Sequence, residues 1–175
     1  AHAQAGRIAQ ADLPILKEYE DTLGLCGFLV VNDSLPENRF ATCKKLITTL
    51  VQALKVKNSF NYPFERLRTV SIQYPADSTF RIFTWQLYVD VDDYRYYGAI
   101  QMNSPDLVLY PLIDRSVNVD DDDLEQAVMS PEQWYGALYY NIRQFDSPGG
   151  RKYLLFGFDG VSLFNKRKLI DVLHF

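Results

Sequence analysis

The spacing of apolar side chains changes once along this chain, near residue 60. Before that point apolar residues recur every three or four positions, as in a helix that packs one face against a core. From residue 68 onward apolar and polar residues alternate in short runs, which is the period of strands in a sheet. The pattern therefore predicts helices first and a series of strands afterwards.

Two helices are predicted in the first part of the chain. Residues 12–23 carry one apolar stripe, and Gly24 and Gly27 then break the pattern. The apolar run 25–31 fits either a strand or a continuation into a buried helix, because its period does not decide between them. Residues 39–57 have the clearest helical stripe.

Strands are predicted at residues 68–74, 80–91, 95–102, 107–113, 134–145, 152–158 and 166–175. The run 80–91 is apolar on both faces, which is typical of a central strand covered on both sides. Pro111 restricts its strand to an edge or a bulge. Acidic residues open a short helix predicted over 120–128.

Most of these strands are joined by short turns, which indicates antiparallel neighbours. Helices that are separate in sequence from a run of strands indicate an α+β fold. We therefore expect two N-terminal helices packed on a mostly antiparallel sheet of about six or seven strands. Residues 11–175 form a single domain in this interpretation, and residues 1–10 are a disordered tail or the remnant of a signal peptide.

The charge of the chain excludes some function classes. Its 175 residues carry a formal net charge of −4 without a basic stripe, so no nucleic-acid partner is expected. No apolar run reaches the roughly 18–20 residues that span a bilayer, so no transmembrane segment is expected. No motif predicts a cofactor.

The N-terminus and the cysteines bear on location. Ala1-x-Ala3 and Ala3-x-Ala5 both fit the small-residue pattern that ends a secretory signal peptide, although a merely disordered N-terminus fits as well. A signal peptide predicts a periplasmic or secreted protein. In such a compartment Cys26 and Cys43 could form a disulfide; alternatively, Cys43 is a buried thiol on the apolar face of its helix.

Candidate catalytic residues are few. The two histidines are His2 and His174, and nothing in their positions indicates a catalytic triad. Asp159, Asp171 and Glu132 could supply the pair of carboxylates that glycoside hydrolysis needs, at a separation of roughly 5–10 Å. An antiparallel protein with 22 acidic residues offers such pairs by chance, so no catalytic residue is predicted.

Two acidic turns offer the oxygen ligands that calcium prefers, namely Asp90, Asp92 and Asp93 in one turn and the run 120–123 in another. Neither matches the EF-hand loop, which needs a glycine at its sixth position and a distal glutamate. They are weak calcium candidates, and no metal site is predicted.

Aromatic residues are the main excess in the composition, with 12 Tyr and 11 Phe. They fit strands that fill a core, and they also fit an exposed aromatic face that contacts a ligand. The best binding candidates are clustered tyrosines beside Trp134 and Tyr140, namely Tyr94, Tyr96, Tyr97, Tyr135 and Tyr139.

Five motifs then indicate a family, namely FRIFTWQL (80–87), YYGAIQ (96–101), WYGALYY (134–140), LLFGFDG (154–160) and RKLIDVLHF (167–175). As a set they resemble an uncharacterised group of exported proteins from Bacteroidetes-type bacteria, over residues 58–175. The motifs are strands and turns without a known activity, so the resemblance implies no catalytic residue. It implies export, and it implies a fragment or a short member, because chains of that group continue past the IDVL-type strand.

These observations favour an exported, non-enzymatic binding or interaction module that uses its aromatic-rich sheet face or an exposed edge. Its partner would be a protein, a peptide or a carbohydrate. Two alternatives stay open: a carboxylate-dependent hydrolase domain, and a fragment of a larger exported protein that is truncated at its C-terminus.

Overall fold

The structure, a computed structural model, describes residues 3–91, 93–116, 127–160 and 166–175. Within these ranges, helices α1 (Leu13–Asn32) and α2 (Pro36–Leu54) come first, and seven strands follow them. The strands are β1 (Ser71–Gln73), β2 (Phe80–Asp90), β3 (Asp93–Met102), β4 (Leu109–Ile113), β5 (Leu138–Ser147), β6 (Gly150–Gly160) and β7 (Lys166–Leu173). The predicted α+β class, the two N-terminal helices and the number of strands are confirmed.

The strands lie in two antiparallel sheets. One sheet has four strands in the order β1-β2-β3-β4, and the other has three in the order β5-β6-β7. Pro111 lies in β4, which is an edge strand as predicted. The helix predicted over 120–128 falls mainly on residues outside the described part of the chain.

Helix α1 does not end at residue 23, as the two glycines had predicted. It continues through the run 25–31, whose helical alternative is correct. A Cβ atom added at Gly27 would lie 2.3 Å from Oγ1 of Thr69. This glycine therefore allows the helix to approach the segment before β1 closely, and it does not end the helix.

The helices, the four-stranded sheet and the three-stranded sheet form three layers, and β2 belongs to both cores between them. Phe83, Trp85 and Leu87 pack against the helices. Phe80 and Ile82 pack on the other side, against the three-stranded sheet. The prediction of a central strand covered on both sides is confirmed.

Arg81 is fully buried in β2, and the described residues that accept its hydrogen bonds are all uncharged. Its guanidinium donates to Oε1 of Gln101 at 2.7 Å and to the hydroxyl of Tyr74 at 2.9 Å. It also donates to the backbone carbonyls of Tyr62 and Ser59, at 2.6 and 2.9 Å. Its central carbon lies 4.8 to 5.9 Å from the ring centres of Phe60, Phe64, Tyr74 and Phe83. Arg81 thus joins the segment before β1 to the central strand.

The N-terminal segment is bound to the domain. The Ala5 N–H donates to Oδ1 of Asn103 and the Gly6 N–H to Oδ1 of Asn58, each at 2.8 Å. Ile8 packs against the core on the helix side. These residues are therefore held against the domain and do not form a free tail, while their origin as the remnant of a signal peptide stays a prediction.

Cys26 and Cys43 are both free and buried, so the structure contains two buried thiols and not the disulfide. Burial raises the pKa of both thiols, which keeps them protonated and unreactive. They are part of the apolar core between the helices and the four-stranded sheet.

Candidate functional site

A cleft of about 660 Å³ lies between the two sheets. Side chains of β2, β3 and β4 form one wall, β7 forms another, and the segment 127–135 lines the same space. The walls are mainly apolar, with Ile82, Ile100, Leu112, Leu155, Leu169 and Leu173. The volume is within the range of roughly 300–1,000 Å³ that is usual for small-molecule sites.

The register of the three-stranded sheet decides which side chains reach this cleft. In antiparallel strands, directly paired residues project from the same face. Leu155 is buried on the inner face of β6 and pairs with Asp171 of β7. Leu169 and Leu173 are two positions to either side of Asp171, so they face inward as well. Among the described residues that line the cleft, Asp171 is thus the one acidic side chain, and Arg167, two positions before Leu169, faces the same side of β7.

Asp171 is the end of a chain of hydrogen bonds inside the cleft. The Tyr139 hydroxyl donates to Oδ2 of Asp171, and Nε1 of Trp134 donates to the Tyr139 oxygen at 2.8 Å. Tyr139 fits here because position 157 is a glycine, where a Cβ would lie 2.9 Å from the Tyr139 ring. The described residues donate no hydrogen bond to Oδ1 of Asp171.

The surroundings of these hydrogen-bonded side chains change their acid–base properties. Burial raises the pKa of Asp171, while the hydrogen bond from Tyr139 lowers it in part. Burial and the neighbouring charge of Asp171 raise the pKa of Tyr139 well above its usual range. The Tyr139 hydroxyl therefore keeps its proton near neutral pH and is the donor in this hydrogen bond. Asp171 holds its proton more tightly than an exposed aspartate does.

A second polar group lies where β6 meets the start of β7. Asp159 pairs with Arg167 in register, and Nη1 of Arg167 donates to the Tyr135 hydroxyl at 3.2 Å. Burial raises the pKa of Asp159, hydrogen bonds from Tyr135 and Tyr96 lower it, and the charge of Asp114 raises it. The hydrogen-bonding capacity of the Asp159 carboxylate is therefore already used by its neighbours Tyr135 and Tyr96.

Asp114 has a structural role. Its carboxylate accepts hydrogen bonds from the Tyr96 N–H at 3.0 Å and from the N–H and hydroxyl of Ser116 at 2.9 and 2.7 Å. Gly136 lies against it with φ +91°, and a Cβ there would come within 2.6 Å of the carboxyl group. Asp114 thus connects the end of β4 to the segment before β5.

The five tyrosines predicted as ligand contacts are divided between two concave surfaces. Tyr135 and Tyr139 line the cleft between the sheets. Tyr94, Tyr96 and Tyr97 line a groove, also of about 660 Å³, on β3 and β4 beside α2. They do not form one face, because alternation along β3 directs Tyr97 to the helix side and Tyr96 to the other. Their role as ligand contacts stays a prediction.

The groove beside α2 contains one buried polar atom without an oxygen or nitrogen partner among the described residues. This atom is Nε1 of Trp85, whose ring stacks on Tyr97 with centroids 5.9 Å apart. The Cys43 thiol lies next to this atom. Burial raises the pKa of the thiol, and the contact with Trp85 lowers it in part. Sulfur is a weak acceptor, so this tryptophan is incompletely satisfied.

The weak calcium candidates do not form a recognisable site in the described residues. Asp90 and Asp93 pair across the end of the β2–β3 hairpin, and Oδ1 of Asp90 accepts the Val91 N–H at 2.7 Å. Asp92 and the run 120–123 lie outside the described residues. Over residues 3–91, 93–116, 127–160 and 166–175, no group of three His, Cys, Asp or Glu side chains is placed to hold a metal ion.

The acidic pair considered from the sequence is widely spaced. Asp159 pairs with Arg167, whereas Asp171 pairs with Leu155, so four residues of strand separate the two carboxyl positions. At about 3.4 Å per residue this is roughly 14 Å. That separation exceeds the roughly 5–10 Å used by glycoside hydrolases. His174 is exposed next to β7.

Sequence reasoning missed the connection between Trp134, Tyr139 and Asp171. Their pairing depends on contacts between β5, β7 and the segment before β5, which no local pattern encodes. One signal was present: Asp171 occupies an inward position between Leu169 and Leu173. A lone acid at an apolar position of a strand indicates a buried and specifically bonded carboxyl group.

Comparisons with protein-family models, with curated proteins and with solved structures find no match to this chain. Among the described residues, no helix has both the length and the hydropathy needed to cross a membrane.

Proposed function

We propose that this protein is a non-enzymatic binding module that holds a small amphipathic molecule in the cleft between its two sheets. One observation carries the proposal: a mainly apolar cleft of about 660 Å³ with the partly satisfied carboxyl group of Asp171 in its wall. Apolar walls with a few fixed polar groups are the usual composition of a small-molecule site.

The chemistry of the cleft defines the ligand class. Leucine and isoleucine side chains favour an aliphatic or aromatic body. Oδ1 of Asp171 accepts a hydrogen bond from the ligand, because Tyr139 already occupies Oδ2. The ligand is therefore an apolar molecule with a hydroxyl or amine head group. A carboxylate head group is disfavoured at Asp171, and Arg167, a cation that lines the same cleft, already lies beside Asp159 and bonds to Tyr135.

Export belongs to this proposal as well. It is supported by the alanine pattern at the N-terminus and by the resemblance to exported proteins. A periplasmic or secreted binding module would meet small amphipathic molecules released from envelopes or from the surroundings.

Hydrolysis is the second candidate, because the raised pKa of Asp171 suits a general acid. It needs a second group at the same site, and Asp159 is roughly 14 Å along the sheet from Asp171. Hydrolysis of nitrophenyl esters or glycosides that disappears in Asp171→Asn would favour this alternative over binding alone.

The binding proposal is tested by calorimetric titration with octan-1-ol, octylamine and octanoate, which share one chain length. We expect the alcohol and the amine to bind at least about tenfold more tightly than the carboxylate, a difference of about 1.4 kcal/mol. Leu169→Trp fills the cleft and is expected to weaken binding of all three. Leu25→Trp makes the same change on the exposed side of α1 and is the matched control.

Two outcomes contradict the proposal. One is the absence of binding by all three compounds. The other is equal binding by the Leu169→Trp and Leu25→Trp variants, which would place the compounds outside the cleft.

A further inference from the structure

The outer face of the three-stranded sheet is apolar, and no described element covers it. Ile170 and Val172 of β7 are 60% and 53% exposed, and Phe145 of β5 is 40% exposed. Between these edge strands, Leu154, Phe156 and Phe158 of β6 form a half-buried row. Contiguous apolar surface of this kind marks interaction sites.

The charges on this outer face have one sign. Four basic residues project outward from its strands, namely Arg143, Lys152, Lys166 and Lys168. The acids at paired positions of β6 and β7 are Asp159 and Asp171, and both are on the inner face. None of the four cations forms an ion pair with a described residue. The whole chain has a net charge of −4, so this basic face contrasts with the rest of the molecule.

The cations also flank the apolar row on both sides. Arg143 is paired with Leu154 from the β5 side, and Lys168 is paired with Phe158 from the β7 side. An apolar centre with a charged rim is the usual composition of a protein–protein interface. The complementary surface is an apolar stripe with acidic residues along both of its edges.

The length of the row fits one helix. The apolar row from Leu154 to Phe158, together with Lys152 at its end, covers six steps of strand, or roughly 20 Å at about 3.4 Å per residue. A helix rises about 1.5 Å per residue, so about 13 residues cover this length. An amphipathic helix that presents one apolar stripe to a groove is a recurring mode of recognition.

We infer that the outer face of β5–β7 is a docking surface for an acidic amphipathic helix of another protein. The apolar stripe of that helix contacts the row of Leu154, Phe156 and Phe158. Its acidic residues pair with Arg143 on the β5 side, with Lys152 at one end of the row and with Lys166 and Lys168 on the β7 side. A second copy of this chain, docked symmetrically, would place these cations against one another.

The test measures fluorescence anisotropy of two labelled 15-residue helical peptides with the full chain. Both have the same leucine stripe; one is flanked by glutamates and the other by lysines. We expect the glutamate peptide to bind at least about tenfold more tightly, and to weaken as salt is raised. Arg143→Glu/Lys152→Glu leaves no net charge on the face and should abolish the preference, and Phe145→Ser should weaken binding of the glutamate peptide.

The matched control is Lys44→Glu/Lys45→Glu, which changes the net charge equally on exposed positions of α2. It is expected to leave peptide binding unchanged. Octan-1-ol titration and thermal melting of each variant separate this surface from the cleft, because neither Arg143 nor Lys152 lines the cleft.

The inference is overturned if the two peptides bind equally, or if neither binds. It is also overturned if the α2 control loses as much affinity as the outer-face variant. Binding to phosphatidylglycerol vesicles that the glutamate peptide does not displace would assign the face to a membrane surface. A concentration-dependent dimer that Phe145→Ser abolishes would assign it to a second copy.

Discussion

At the scale of single residues, two buried polar side chains bear most on stability and function. Asp171 faces the cleft with one oxygen bonded to Tyr139. Arg81 is enclosed by carbonyl groups and aromatic rings at the junction of β2 with the segment before β1. A buried polar group is tolerated when its hydrogen bonds are made, so replacing either residue measures how much those hydrogen bonds contribute to stability.

Asp171→Asn is expected to stabilise the protein near neutral pH. Burial raises the folded-state pKa of Asp171, so ionising it costs stability once the pH exceeds about 3.9, the ordinary value for an aspartate. Asparagine keeps an acceptor for the Tyr139 hydroxyl and carries no charge. The variant should melt at the parent's temperature near pH 3 and at a higher temperature at pH 7.

Asp146→Asn provides the control of opposite sign. Hydrogen bonding to Arg151 lowers the pKa of Asp146, so its contribution to stability is present at neutral pH and is lost as the pH falls. Its variant should melt slightly lower than the parent at pH 7 and at the same temperature in acid. A gain in Asp171→Asn that is the same at every pH would contradict the account of Asp171.

Arg81→Met is expected to cost about 3 kcal/mol of unfolding free energy or more. Methionine has a similar length but leaves the carbonyls of Ser59 and Tyr62 and the amide of Gln101 without their buried donor. Urea unfolding measures the loss. Arg68→Met, at an exposed position nearby, should stay within about 0.5 kcal/mol of the parent. Equal losses in both variants would show that the bonds of Arg81 contribute little.

At the scale of elements, the helix and strand periods predicted most of what forms. The stripe over 39–57 and the alternation over 80–91 became α2 and β2, because each buries a regular apolar face. The predicted end of α1 was wrong, because a glycine occurs where two segments pack closely as well as where a helix ends. Only the tertiary position of Thr69 distinguishes these two uses.

Replacement of the two glycines of α1 by alanine tests this distinction. Gly24→Ala meets its nearest atom, the Arg66 carbonyl, at 3.7 Å, so it should gain up to about 1 kcal/mol of helix propensity. Gly27→Ala meets Oγ1 of Thr69 at 2.3 Å and should be less stable than Gly24→Ala by about 1–3 kcal/mol. Denaturant unfolding of both variants gives the difference.

Thr69→Ala in the Gly27→Ala background removes the obstructing hydroxyl. It should recover most of the loss. If Gly24→Ala and Gly27→Ala are equally stable, the close approach of α1 to Thr69 does not explain the glycine.

At the scale of the whole molecule, the cleft exists because the strands divide into two sheets. Short turns predicted antiparallel neighbours correctly, but they do not specify which hairpins join the same sheet. The sheets contact through Phe80, Ile82, Tyr139 and Leu155, residues distant in sequence. The cleft and the hydrogen bonds of Asp171 depend on that contact, so the sequence alone could name Tyr139 as a candidate but could not place it beside Asp171.

Trp134 can report directly on ligand binding in the cleft, because it lines the cleft and the chain has only one other tryptophan, Trp85. In Trp85→Phe, emission reports Trp134 alone during titration with octan-1-ol. If octan-1-ol binds in the cleft, the emission changes saturably with the same midpoint as the calorimetric titration. Heat of binding without any change in Trp134 emission would place the ligand elsewhere and contradict the proposed function.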